Sequence, residues 1–403
     1  MAPDLAHLTA NSGEELKALP LFDRKGWKRM PFGAFAESVN ERVEPANAAD
    51  EIYVGLDDLD SGDLHIRRWG KGSDVIGTKL RFRKGDIIFG RRRAYQRKLA
   101  VAEFDGICSA HAMVVRAKQD VVLPEFLPFL MMSDRFMKRA VEISVGSLSP
   151  TINWTTLKLE EFDLPPPAQQ RIMAEVLWAL DGTWRSLQSL EAALNRALHA
   201  QRDDFFSVRA NGKTKRVEEL FEVQLGKMLS PKAKKGTSLL PYLGNKNVQW
   251  GHFELSDVLQ MDFSASEAER FSLRVGDLLV CEGGVVGRCA IWDGSIPQCC
   301  FQKAIHRLRP LTKGVTSEYM FQFMVWAASK GLFTSLTGHS TIAHLTAVKL
   351  KSLTVPLPQP DEQEEFLAKI DKHHAVLQFV VNQQHDTEML RSAMLSAIVD
   401  ERG

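Results

Sequence analysis

Gly72-Ser73-Asp74-Val75-Ile76-Gly77-Thr78-Lys79 has nearly the spacing of a phosphate-binding loop. That loop needs lysine before serine or threonine, so that the ammonium reaches the β and γ phosphates. Here the order is reversed, and the segment reads as a turn. A metal-dependent nuclease needs clustered carboxylates and a lysine. Asp86 and Asp277 each follow a glycine at a strand entry, which suits a turn or cap instead. A base methyltransferase would need a glycine-rich turn in a β–α–β setting and an Asn- or Asp-Pro-Pro-aromatic tetrad for a flipped base. Neither is present, and Asp163-Leu164-Pro165-Pro166 is not that tetrad. His339 and His344 lack a third ligand at zinc spacing. The five cysteines (Cys108, Cys281, Cys289, Cys299 and Cys300) form no C-x-x-C pair and read as buried reduced thiols. Catalysis, a metal and a resident cofactor are not expected of this chain.

Binding is. Lys79, Arg81, Arg83, Lys84, Arg91, Arg92, Arg93, Arg97 and Lys98 face a single acid, Asp86, within one run, and Tyr95 and Gln96 lie among them. Such charge neutralises phosphates, and Arg, Asn and Gln read base edges. A solvated strand face is the plainer alternative, but the net charge of +1 makes a local run of this density stand out and points to nucleic acid. The candidate contacts of the first half are Lys79, Arg81, Arg91, Arg92, Arg93, Tyr95, Arg97 and Lys98. In the second half the polar residues differ. Lys227, Asn245, Lys246, Asn247, Gln249, Arg288, Gln302, Lys303, His339, Ser340 and Thr341 are the candidates there, beside Lys232, Lys234 and Lys235. A polar turn with a core tryptophan is the plainer reading of Asn245–Trp250, and loop polarity that of His339 and His344.

These residues sit on a duplicated frame. Tyr53-Val54-Gly55 returns as Tyr242-Leu243-Gly244, an offset of 189 residues. Arg83-Lys84-Gly85-Asp86-Ile87-Ile88 returns as Arg274-Val275-Gly276-Asp277-Leu278-Leu279, an offset of 191. Val115-Arg116 answers Leu308-Arg309, and the loop Gly146–Pro150 answers Gly338–Ile342. Amphipathic helices are expected at Glu125–Val141 and Glu318–Phe333. Each copy ends in a proline-broken strand, Leu164-Pro165-Pro166-Pro167 or Val355-Pro356-Leu357-Pro358, followed by a long helical pattern. Ile172, Val176, Ala179, Leu180, Leu187, Leu190, Leu194, Ala197 and Phe205 line the first helix. Phe366, Ile370, Leu377, Val380, Val381, Leu390, Met394 and Ile398 line the second. A stripe so narrow and long reads as a coiled-coil seam. Gly182 is expected to fray or bend the first helix. The fold class is therefore α+β, a tandem duplication of two α+β domains separated by two long helices. Antiparallel pairing of the helices is preferred, because two bulky domains at one end would clash. The expected boundaries are residues 1–166, a helix over 167–206, residues 207–357, and a helix over 358–403. The first twenty residues read as a loose lead-in. With no apolar leader and no long apolar run, the chain is expected in the cytoplasm.

On these residues the chain resembles the specificity (S) subunit of type I restriction–modification enzymes. The resemblance rests on Lys84-Gly85-Asp86-Ile87-Ile88-Phe89-Gly90-Arg91, on Val275-Gly276-Asp277-Leu278-Leu279, on Leu164–Ile172, and on Val355-Pro356-Leu357-Pro358 with Glu362-Gln363. Pro-Pro-Pro-Ala before Gln169, where the family carries an acid, departs from the pattern. The resemblance implies two target-recognition domains, each reading half of a bipartite DNA site. It implies helices that set the spacing and dock two methyltransferase (M) subunits, with a motor-nuclease (R) subunit able to join. S-adenosylmethionine would bind the M subunits, not this chain. Gln170, Ile172, Gln363 and Phe366, at the helix starts, are the candidate partner contacts. A two-module protein-interaction scaffold without DNA binding is the competing function.

Overall fold

The computed structural model describes residues 19–210, 212–229, 236–333 and 344–398. Its contacts divide the chain into two units, Met1–Ser189 with Val380–Gly403, and Leu190–Phe379. The dividing points fall inside the two long helices. Among the described residues no helix is long and apolar enough to cross a membrane.

In the first unit, a four-stranded antiparallel sheet has the order Ala36–Val39, Met113–Ala117, Ile87–Phe89, Leu99–Val101. Side chains alternate across a strand, and here both faces are covered. Ile87 and Phe89 enter a core with Phe126, Leu130 and Phe136, while Ile88 enters another with Val54, Phe82 and Val114. That is why Ile87-Ile88-Phe89 is an unbroken apolar run. A five-stranded sheet backs the second core in the order Arg42–Val43, Lys79–Phe82, Gly106–Cys108, Ile52–Val54, Gly70–Lys71. Only its pair Ile52–Val54 with Gly106–Cys108 is parallel.

The second unit repeats this plan. Its four-stranded sheet runs Phe221–Leu225, Ile305–Pro310, Leu278–Cys281, Cys289–Ile291. Leu278 and Val280 point to one core and Leu279 and Cys281 to the other. Leu239–Leu243 pairs in parallel with Cys300–Phe301, as Ile52–Val54 does with Gly106–Cys108. At the sheet entries, Gly85 and Gly276 turn with φ of 90° and 89°, a backbone that favours glycine. The next carboxylate then closes the turn by accepting from the Arg83 or Arg274 backbone N–H at 2.8 and 2.7 Å.

Each unit ends in a two-stranded ribbon, Lys28–Pro31 with Glu161–Leu164 or Thr214–Arg216 with Thr354–Pro356, beside the entry to a long helix. The helices are Pro167–Arg209 and Pro360–Ile398. Within the first unit, Met173, Ala174 and Leu177 share a core with Met394, Ala397 and Ile398, and the Trp184 ring meets Arg391. Within the second, Phe205 stacks on Phe366 with centroids 4.0 Å apart, and Arg209 pairs with Glu362 at 2.8 Å. In both, one helix's numbers rise as the other's fall, so the pairing is antiparallel.

Three local expectations need correction. The helix expected over Glu125–Val141 is two, Leu127–Met132 and Asp134–Glu142, because the extended Ser133 caps the second through the Phe136 N–H. The first long helix runs unbroken through Gly182, with no fraying there. Its buried stripe is also wider than a seam. Ile172, Ala179, Leu190 and Ala197 are exposed, whereas Met173, Leu177, Leu198 and Phe206 are buried. The helix packs against its own globular cores as well as its partner: Trp178 meets Phe129 edge-on at 4.9 Å and donates to the Glu125 carbonyl.

Candidate nucleic-acid interface

Residues 90–98 form the tip of the hairpin between Ile87–Phe89 and Leu99–Val101. A single helical turn, Ala94–Gln96, is flanked by Arg93 and Arg97, both left-handed at φ 59° and 51°. Each such residue costs about 1 kcal/mol. The chain holds them there through Arg93 N–H to the Pro150 carbonyl and Arg97 N–H to the Ala94 carbonyl, both 2.8 Å.

The basic run splits in two. Lys79 is buried and its ammonium donates to the Ile76 and Gly77 carbonyls, closing a turn. Arg81 forks onto Glu51 at 2.7 and 3.0 Å and also meets Glu41. Arg97 pairs with Asp134 and the Met132 carbonyl, and Lys98 donates to the Leu56 carbonyl beside Asp57. Each of these four therefore has partners within the fold. Arg81, Arg97 and Lys98 meet acids within the chain, and Lys79 meets backbone carbonyls.

Arg91, Arg92 and Arg93 differ. Arg91 donates to the Ala110 carbonyl at 3.1 Å, Arg92 to the Ser149 hydroxyl at 2.6 Å, and none of the three meets a carboxylate among the described residues. Arg93 and Tyr95 point into solvent. Burial, then Arg92 and Arg91, hold the pKa of nearby His111 below the usual histidine value. Arg91, Arg92 and Arg93 therefore carry positive charge that no carboxylate among the described residues pairs.

A second loop completes it. Val145 and Thr151 bond each other's backbone at 3.0 Å in both directions and close Gly146–Pro150 into a hairpin loop. Arg92 bridges Thr151, and the Ile152 N–H donates to the Arg91 carbonyl at 2.9 Å. The second unit repeats this last bond, Leu345 N–H to the Glu282 carbonyl at 2.7 Å.

At the matching hairpin of the second unit, Arg288 donates to the Asn245 carbonyl at 2.8 Å and the Gln249 side-chain oxygen at 3.2 Å. Asn245 in turn donates to the Gly283 carbonyl at 3.1 Å. Asn245, Gln249 and Arg288 thus form one polar cluster. Arg288 has only neutral partners, and the Oδ1 of Asn245 is buried without a hydrogen bond. Gln302 lies over Gly244 beside it, and Lys303 is exposed. Two candidates have roles inside the fold. Asn247 is buried, accepting from the Gly244 N–H and donating to the Glu254 and Asp257 carbonyls, so it builds the turn. Lys227 is spent on Glu267 and the Asp262 carbonyl. Lys246 stays exposed but is paired with Asp257. His339, Ser340, Thr341, Lys232, Lys234 and Lys235 lie outside the described residues.

Of the partner-contact candidates, Gln170 is buried, accepting from the Leu123 N–H and donating to the Val121 and Pro165 carbonyls. Gln363 repeats this with the Gly314 and Pro358 carbonyls. Phe366 is buried on Phe205. These three tie each helix start to its own unit and expose little surface. Ile172 alone is exposed, at 47%.

The family model for the type I restriction modification DNA specificity domain matches residues 68–196 and 211–384, well over half of the chain. The chain belongs to the type I restriction–modification DNA specificity family. Among curated relatives, the EcoDI specificity subunit of Escherichia coli is 26% identical over 194 residues, 46% of this chain and 40% of that protein. The EcoKI specificity subunit of E. coli K12 is 27% identical over 279 residues, 62% of this chain and 60% of that protein. The matched region thus spans 40% to 60% of the length of these relatives. Two solved structures share the fold. A chain from a type I R-M system has a TM-score of 0.62 at 21% identity, over 94% of this chain and 98% of that one. The S subunit of M. genitalium has 0.60 at 13%, over 94% and 97%.

In this specificity-family chain, sequence reasoning missed His111 and the loop around Leu148 and Ser149. Both join the arginine tip from distant positions. The sequence pairs Gly146–Pro150 with Gly338–Ile342 as part of the repeat, but no local pattern links that loop to the arginine run.

Proposed function

We propose that this chain is the sequence-specific DNA-recognition subunit of a type I restriction–modification complex, and that it performs no chemistry itself. Each unit reads one half of a bipartite, asymmetric duplex site, and the paired helices set the spacing. The observation that carries this reading is a repeated scaffold with unlike tips. The same hairpin, on the same buried sheet, presents Arg91, Arg92 and Arg93 in one unit and, in the other, Arg288 bonded to Asn245 and Gln249 of a neighbouring loop. Phosphate contacts set register and base-edge contacts set sequence. Unlike polar tips on one frame therefore suit two unlike half-sites.

The partners are double-stranded DNA and two methyltransferase subunits, with a motor-nuclease subunit as a further member, and the setting is the cytoplasm. S-adenosylmethionine belongs to the methyltransferase partner. Ile172, on the exposed side of the first long helix, is the contact that remains open to that partner. Methylome sequencing of cells with and without this chain tests the reading. A bipartite methylated motif that vanishes with the chain supports it. An unchanged methylome sinks it.

A further inference from the structure

Leu148 stands at the tip of the Gly146–Pro150 loop with 94% of its surface exposed, and Val145 at the loop's base is 68% exposed. Single exposed apolar residues are common. This one differs in how it is held. The Val145–Thr151 backbone pair closes its loop, Thr151 Oγ1 donates to the Ser149 carbonyl at 3.1 Å, and Gly146 turns at φ 114°. Arg92 grips Ser149, the next residue, and the Arg93 N–H grips Pro150. A hydrogen-bonded loop thus holds a leucine one residue from the Arg92 contact, and among the described residues no acid pairs with Arg91, Arg92 or Arg93. An apolar group held beside guanidinium groups that no acid neutralises suits a surface that is anionic at its rim and offers a methyl group between. The major groove of DNA is such a surface, because thymine alone among the four bases carries a methyl there.

We infer that Leu148 is a base-reading residue of the first half-site and that its partner is a thymine methyl. This rests on the DNA reading above. The full chain in its methyltransferase complex tests it, on duplexes carrying the recognised site with each first-half thymine replaced in turn by deoxyuracil. At one position the wild-type complex is expected to bind about fourfold more weakly without the methyl, the worth of about one buried apolar carbon. Leu148→Ala is expected to bind both duplexes equally, at the weaker level. Indifference of the wild type to every methyl deletion, or full methyl sensitivity in Leu148→Ala, overturns the inference. The Arg91, Arg92 and Arg93 triple alanine variant separates the two layers. If it weakens the first half-site while Leu148→Ala changes nothing, only the leucine assignment falls. If neither variant alters binding, the DNA reading of this face falls as well.

Discussion

Asp86 holds Arg116 in a two-pronged ion pair, 2.7 and 2.9 Å from its oxygens, and Asp277 holds Arg309 in the same way at 2.7 Å on both prongs. Each carboxylate also accepts its own turn's N–H. The aspartate is buried while its arginine keeps access to water. Asp86→Asn keeps the shape but leaves a buried amide beside a guanidinium. A loss of about 1–3 kcal/mol is expected, read as a lower denaturant midpoint. An unchanged midpoint would show that the pair adds nothing.

Gln170 makes three hydrogen bonds with its own unit. Gln170→Ala should cost about 1–3 kcal/mol of stability, because buried backbone groups lose their partners. Co-elution with the methyltransferase should persist at temperatures where the variant is folded. Loss of co-elution from a fully folded variant would return Gln170 to the partner surface.

Replacing Arg91, Arg92 and Arg93 together with alanine should weaken first-half binding and leave the second half-site alone. The slope of log affinity against log salt should flatten by about 2 to 3, near one per lost phosphate contact. Competition titrations over a salt series measure it, and a retained slope removes these residues from the interface.

His65 bridges Asp181 and Glu103 at 2.7 and 2.5 Å, with Arg185 and Trp178 against its ring. The Asp181 hydrogen bond and then Glu103 raise its pKa above 6.5, against burial and Arg185. A raised folded pKa stabilises while the ring is charged. The contribution is therefore full below the unfolded value of about 6.5 and is lost as pH climbs through the folded value. Unfolding midpoints from about pH 6 to about pH 9 should show wild type losing its margin over His65→Gln as pH rises. A constant margin would mean that the ring's charge is not what stabilises.

Phe366→Ala removes a buried ring stacked on Phe205. A cost of about 3–5 kcal/mol is expected in thermal unfolding. A cost under about 1 kcal/mol would mean that the helix ends are not held by this stack.

The frame was legible in the sequence because duplication repeats what packing demands. Gly85-Asp86 and Gly276-Asp277 recur since only that pair makes the turn and receives the arginine. The site was less legible. Nine cations between Lys79 and Lys98 look alike in a string, yet Arg81, Arg97 and Lys98 find acids from Glu51, Asp134 and Asp57, which no local pattern announces. Gln170 and Gln363 were only half legible for a related reason. Polar residues at a helix start look like a surface for others, and here they serve the carbonyls of the preceding proline turn. The seam slipped by one position because the long helix is buried against two neighbours at once.

The first unit's core closes only with Met394, Ala397 and Ile398, whereas the second unit is a single uninterrupted stretch, Leu190–Phe379. Met173 and Leu177 thus take part of their cover from residues far along the chain, and that side of the first core is complete only once Met394, Ala397 and Ile398 have been made.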